Sequence, residues 1–303
     1  MAAVISRSNT PKQLVPGLNT IFGLAYKDVL DQHTPLFQME TSQRAYEEDL
    51  LQGQFGAAPV KPEGEGVHYD TAYELWTSRY THETIALAFA ITEEAVEDNL
   101  YEAMSKVRSR ALGRAMAVTK QVKAANVFNN AFSTSYLGGD AKSLCAIDHP
   151  LAGGGTLSNR VATDLSETAL ETAIITMAGW TDDRGIIMAV QPRSLHIPAN
   201  LQFEAERILK SPLQAYTADN TLNALKSMGK LSGGVYINNR FTDTNAWFIQ
   251  TDVDNGTKMF TRVKLSTKME GDFDTGNTRY KARERYSFGW SDWRRWYGSA
   301  GST

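Results

Sequence analysis

The sequence predicts an α+β fold in which a mixed lobe carries projecting parts, and three observations lead there. One helical pattern runs from about Glu93 to Phe132, on the order of 60 Å of helix, which is a spine rather than an ordinary globular element. A Gly- and Pro-rich stretch, residues 53–66, ends in "KPEGEG" and reads as the tip of a hairpin. Beyond residue 166, short helix and strand patterns follow one another and close on an aromatic strand.

The whole chain limits the choices. With 303 residues, 42% of them hydrophobic, it can bury a large core and has room for two lobes. Lys and Arg (31) nearly cancel Asp and Glu (34), so no global basic field draws in nucleic acid. A single cysteine makes no internal disulfide, and folding in a reducing cytoplasm is expected. The N-terminus lacks the apolar core of a signal peptide, and no window approaches the run of about 18 apolar residues that spans a bilayer. The expectation is a soluble protein without a membrane partner.

Taken in order, residues 1–45 read as an arm with a short helix around "LNTIFGLAYKDVLDQ", ordered by lying across another surface. From Val67, Tyr69, Tyr73, Trp76, Tyr80, Ile85, Leu87, Phe89 and Ile91 predict one long strand. Thr92 is expected to cap the spine helix, whose apolar stripe is Val96, Leu100, Met104, Val107, Ala111, Ala115, Val118 and Val122. Acidic residues crowd its start and basic ones its second half, an order that offsets the helix dipole. A second helix begins near Ser166, "GIIMAVQPRSLHIP" predicts a buried strand broken at Pro192, and "ANLQFEAERILKS" predicts a third helix. "GGVYINNRF" and "NAWFIQTD" predict two short strands around a turn, and residues 278–303 a strand returning to the sheet.

Chemistry finds little support. Cys145, Asp148 and His149 have the letters of a nucleophile, an orienting carboxylate and a base, but they share one stretch ending in Pro150 and three glycines, which fixes no mutual geometry. The glycines 153–155 lack the spacing of a phosphate loop. His33, His68, His82, His149 and His196 are isolated, so no metal site and no cofactor is expected. The pairs Glu47–Glu48 and Glu93–Glu94 read as a solvated face and a helix start. Arg283, Arg285, Arg294 and Arg295 alternate with Tyr286, Phe288, Trp290, Trp293 and Trp296. A stacking surface for single-stranded nucleic acid uses such residues, but a core strand with arginines at a subunit boundary is preferred.

Four stretches resemble the major capsid proteins of tailed bacteriophages, whose fold is shared with encapsulins and the herpesvirus shell floor. They are "YTHETIALAFAITEEAVEDNLYEAM", "SLCAIDHPLAGGGTLSN", "VQPRSLHIPANLQFEAERILKS" and "YKARERYSFGWSDWRRWYG". The resemblance implies an N-terminal arm (1–46), an extended loop or E-loop (47–82), a peripheral domain (83–140 and 276–303) and an axial domain (141–275). Function would be structural rather than catalytic: homo-pentamers and homo-hexamers closing, in the host cytoplasm, into an icosahedral shell around double-stranded DNA held without sequence-specific contact. Portal and scaffolding proteins are implied partners, with a cement or decoration protein as a further one. Because only residues 1–45 precede the hairpin, the scaffold is expected to be a separate protein and no large propeptide is expected. Expected inter-subunit contacts are Lys61, Glu63, Glu65, Tyr69, Tyr73, Trp76, Arg79, Arg294 and Arg295. Lys61 sits where some relatives carry a cross-linking lysine, yet no motif marks an acceptor, so cross-linking is not expected. The rival readings are an encapsulin-like compartment, a Cys145 hydrolase and a nucleic-acid-binding module.

Overall fold

A computed structural model describes residues 11–92, 94, 101–213, 222–272 and 276–302. Its strands, in chain order, are β1 (Gln38–Thr41), β2 (Tyr46–Gln52), β3 (Glu74–Thr81), β4 (Glu83–Ile91), β5 (His149–Pro150), β6 (Thr156–Leu157), β7 (Arg160–Val161), β8 (Pro192–Ile197), β9 (Val235–Ile237), β10 (Trp247–Thr251), β11 (Thr257–Gly271), β12 (Thr278–Trp290) and β13 (Trp296–Ser299). They form a four-stranded sheet, β1-β11-β12-β4, a five-stranded sheet, β7-β13-β10-β8-β9, and the two-stranded ribbons β2-β3 and β5-β6.

The first sheet carries the spine helix, described as Tyr101–Asn129, and the arm helix, Pro11–Lys27. Central strand β12 alternates strictly: Tyr280, Ala282, Glu284 and Tyr286 are buried, whereas Arg279, Lys281 and Arg283 are exposed. The buried side packs on both helices, with Leu18 and Phe22 of the arm meeting Leu112 and Met116 of the spine. Gly113 lets the helices approach, since a Cβ there would lie 2.6 Å from the Phe22 carbonyl oxygen. The arm helix therefore packs on its own chain.

The spine corrects the sequence reading. Its buried face is Ser105, Ser109, Leu112, Gly113, Met116, Ala117, Ala124, Ala125 and Phe128, while Val107, Ala111 and Val122 are exposed. Apolar periodicity selected a stripe of valines and alanines, but the buried face alternates small residues, where the helix lies near the arm and the sheet, with Leu112, Met116 and Phe128, which fill the space between. Of that stripe and the expected acidic start, residues 93 and 95–100 lie outside the described ones.

Three further expectations change. The long strand from Val67 is two strands in different sheets, parted at His82: β3 pairs with β2, and β4 pairs with β12. Pro192 begins β8 instead of breaking a strand, and Ile187 just before it is exposed; proline lacks the N–H that a strand interior needs. The expected domain boundary at 275/276 falls inside one hairpin, because β11 pairs with β12 from Thr257↔Trp290 to Gly271↔Thr278. Conversely, the closing strand leaves the first sheet after Trp290, and its last residues enter the other sheet as β13. Likewise β9 and β10 are not a hairpin; β8 lies between them.

The second helix is Glu167–Ala178, with Ser166 Oγ accepting from the Ala169 N–H as N-cap. Its buried Leu170, Ala173 and Met177 cover the five-stranded sheet beside Trp180, Trp247 and Ile249. A second cluster joins the lobes: Phe128 stands edge-on to Trp296 and Phe248, with centroids 4.6 and 5.3 Å away. Each such aromatic pair contributes about 0.5–1.5 kcal/mol beyond burial.

Under β12, the carboxylate of Glu284 is buried and receives Lys120 Nζ at 2.5 Å and the Tyr26 hydroxyl at 3.3 Å. Lys120→Met should destabilise the chain by about 3–5 kcal/mol by leaving the carboxylate unpaired, whereas Lys120→Met with Glu284→Leu should recover most of that loss; urea unfolding of the two variants checks this. On β8, burial lowers His196 from 6.5 to about 3, with Arg295 acting in the same direction. The unfolded chain thus binds a proton near pH 6.5 that the folded chain refuses, so stability falls as pH drops below 6.5. A loss of about 2 kcal/mol by pH 5 is expected from this group, and His196→Gln should flatten the corresponding part of the urea-midpoint profile.

Candidate functional site

The hairpin has a fixed base and a bare tip. At the base, Tyr80 is buried edge-on to Phe260, with centroids 4.8 Å apart. It also lies against Gly289, where a Cβ would come within 2.8 Å of the ring. The Tyr80 hydroxyl donates to Ser291 Oγ at 2.6 Å, and Ser291 in turn donates to Asp49. Asp49 also accepts from the buried Lys258 ammonium at 2.6 Å. His82 bridges Ser287 and Ser42 through its two ring nitrogens, at 3.0 and 2.9 Å. These contacts seat β2 and β3 on the end of the four-stranded sheet.

Residues 57–69 are all exposed. Of the residues expected to meet a neighbour, Lys61, Glu63, Glu65 and Tyr69 stand free on this loop, Tyr69 being 90% exposed. Trp76 is half-buried. Tyr73 and Arg79 already have partners within the chain: the Arg184 guanidinium lies 4.9 Å over the Tyr73 ring, and Arg79 lies 3.8 Å over Tyr46.

The two arginines of the closing segment do not lie at the surface as expected. Arg294 is 3% exposed, 3.6 Å from Asp183 and 3.5 Å from Asp292. Arg295 is half-buried and donates to the Val253 carbonyl at 2.6 Å. Sequence pattern missed this because Ser291–Trp296 crosses between the sheets, and a crossing segment buries residues on all sides.

The four-stranded sheet also has a bare face, which the sequence analysis does not anticipate. Lys264, Lys268, Arg279, Lys281 and Arg283 are exposed there beside Ala86, Ala88 and Ala90 of β4. Lys268 pairs with Glu270, and Arg279 with Asp272. In a chain of net charge -3, this is a marked local excess of cations. Alternation along β12 was the available signal.

The loop with catalytic letters is a structural junction. Cys145 is fully buried, its N–H donates to the Ala131 carbonyl at 2.8 Å, and burial pushes its thiol far up from 9.0. Asp148 points away, paired with Lys142, whose hydrogen bond holds that carboxyl below its usual value. His149 stacks on Trp293 at 4.1 Å, with Nδ1 2.6 Å from Asp140 and Nε2 3.1 Å from Asn159 Oδ1. Asn159 also accepts from the Ala146 N–H at 2.9 Å and donates to the carbonyls of Leu144 and Trp296 at 2.8 and 2.9 Å. His149 therefore faces Asp140 and Asn159, with no contact to the thiol. Among the described residues, no group of three His, Cys, Asp or Glu is placed to hold a metal. No described helix is long and apolar enough to cross a membrane.

Residues 74–299 match the model of a family described as phage capsid protein. That span is most of the chain, which belongs to this family and is a capsid shell protein. No curated protein matches it. Among solved structures, a virus-like particle from Pyrococcus furiosus shares 8% identity at a TM-score of 0.55, covering 94% of this chain and 98% of that one. The procapsid of bacteriophage JBD30 shares 14% at 0.51, covering 97% and 77%. The capsid of the myovirus XM1 shares 7% at 0.51, covering 89% and 92%. These likenesses establish the tailed-phage capsid fold.

Because a thiolate is the reactive form of cysteine, Cys145 should resist iodoacetamide in the folded chain and react at the rate of a free thiol only in denaturant. Alkylation followed by mass spectrometry gives the readout, and ready labelling of the native protein would contradict the burial.

Proposed function

We infer that this chain is the major shell subunit of a tailed bacteriophage, assembling as pentamers and hexamers into an icosahedral virion shell around double-stranded DNA. Assembly takes place in the host cytoplasm, with separate scaffolding and portal proteins and, in some shells, a decoration protein outside. The role is structural, with no reaction catalysed.

The observation that carries this reading is a rigidly seated hairpin ending in an exposed acidic loop, on a chain whose sheet presents a bare cationic face. Glu63 and Glu65 on the loop are complementary to Lys281 and Arg283 on the sheet, and repeated contacts of modest strength suffice to close a shell. Residues 47–82 act as the E-loop on an adjacent subunit, with Lys61, Glu63, Glu65, Tyr69 and Trp76 as its contact residues. DNA inside such a shell needs no specific site, in keeping with the absence of a global basic field.

Co-expression with the neighbouring genes, followed by electron microscopy, should give closed shells whose ultraviolet absorbance shows nucleic acid. Shells holding protein cargo alone would point to an encapsulin-like compartment. Glu63→Lys with Glu65→Lys should cut shell yield about tenfold or more, and adding Lys281→Glu and Arg283→Glu should restore part of it.

A further inference from the structure

The hairpin loop is fastened to the second lobe of its own chain. Residues 181–187 form a stiff turn: Asp182 Oδ1 accepts the backbone N–H groups of Arg184 and Ile186 at 2.9 and 2.8 Å, and Thr181 bridges Ile187. Gly185 takes φ +80°, open to glycine at no steric cost. Asp183, which follows Asp182, faces the buried Arg294 and accepts the Ala152 N–H at 3.3 Å. From this mount Arg184 Nη2 donates to the Thr71 carbonyl at 2.8 Å and lies 3.4 Å from Asp70 Oδ1, with its guanidinium over Tyr73.

The loop is knotted where Arg184 grips it. Asp70 accepts from the Gly56 N–H at 2.7 Å and the Thr71 N–H at 2.8 Å, and the Gly53 N–H donates to the Tyr73 carbonyl at 2.8 Å. One guanidinium thus holds the returning limb through a carboxylate, a carbonyl and a ring, and the outgoing limb follows through the Gly53 and Gly56 hydrogen bonds; its planar fork allows this and a lysine ammonium does not. Both charged partners are 30% exposed, so solvent screens the pair and the contact is weak enough to open.

We propose that Arg184 is a clasp that stores the hairpin loop on its own subunit before assembly, and that engagement of the loop with a second copy requires this clasp to release. Asp70, Thr71 and Tyr73 face Arg184 in the free chain, so a neighbour that takes up this part of the loop competes with the clasp for it. The release step rests on the shell reading above; the clasp itself does not.

The test uses endoproteinase Asp-N, read at the Tyr69–Asp70 bond beside the clasped carboxylate, on the full-length unassembled subunit. Cleavage of a transiently opened segment follows the open population when closing is fast, so Arg184→Ala should be cut about three- to tenfold faster and Arg184→Lys at an intermediate rate. An unchanged urea midpoint shows that the fold is intact. Equal cleavage of wild type and Arg184→Ala overturns the clasp. Under assembly conditions Arg184→Ala should form shells faster; slower assembly with faster cleavage overturns storage and makes Arg184 part of the shell contact. If wild type forms no shells at all, the shell reading fails, and cleavage still decides the clasp.

Discussion

A buried carboxylate fixes how this molecule is put together. Glu284 lies on the core face of β12, the strand held between β11 and β4, where solvent cannot neutralise it. Its cation comes from the spine helix through Lys120, and the arm helix adds the hydroxyl of Tyr26. Burial and the neighbouring Glu284 raise the Tyr26 phenol, which keeps it protonated and able to donate. A buried ion pair adds little net stability, but it penalises every arrangement in which one partner lacks the other. The rotation of the spine about its axis, and the depth of the arm upon it, follow from that penalty. Small residues such as Ser109, Gly113 and Ala117 then permit the close approach that the pair requires.

The second constraint is that one closing segment serves both lobes. β12 completes one sheet and β13 enters the other, with Asp292–Arg295 buried or half-buried between them. Asn159 binds the carbonyls of Leu144 and Trp296 at once, and Trp296 donates to Thr257 Oγ1 at 3.1 Å. The post-spine loop, the closing strand and both sheets therefore meet at one polar and aromatic junction. A mechanical role suits such a junction, because displacement of either lobe loads the same set of hydrogen bonds. It also accounts for Cys145 and His149, whose surroundings serve packing and orientation instead of reactivity.

This architecture tolerates wide divergence. Identities of 7–14% accompany one fold across nearly the whole chain, as a fold set by patterning and core volume allows. Buried polar groups are less interchangeable, since each needs a partner at a fixed distance.

The sequence alone determined the parts and their order. The arm, the hairpin tip, the spine, the helix capped by Ser166 and the strand ending in "SLHI" are local features, read from turn residues, caps and periodicity. Four motifs tied them to a family. What needed tertiary structure was which side of each part faces inward. Val107, Ala111 and Val122 belong to a stripe that no polar residue interrupts, yet the buried side is the one bearing Ser109 and Lys120. Arg294 and Arg295 look like surface residues, yet a chain crossing between two sheets draws them inside. Residues 257–271 give little sign of belonging with the closing strand, because strand pairing is a contact between distant segments. The hairpin residues Lys61, Glu63, Glu65 and Tyr69 were legible as exposed because no packing acts on a loop tip. Tyr73 was not, since its partner, Arg184, lies more than a hundred residues away, and only the folded chain brings them together.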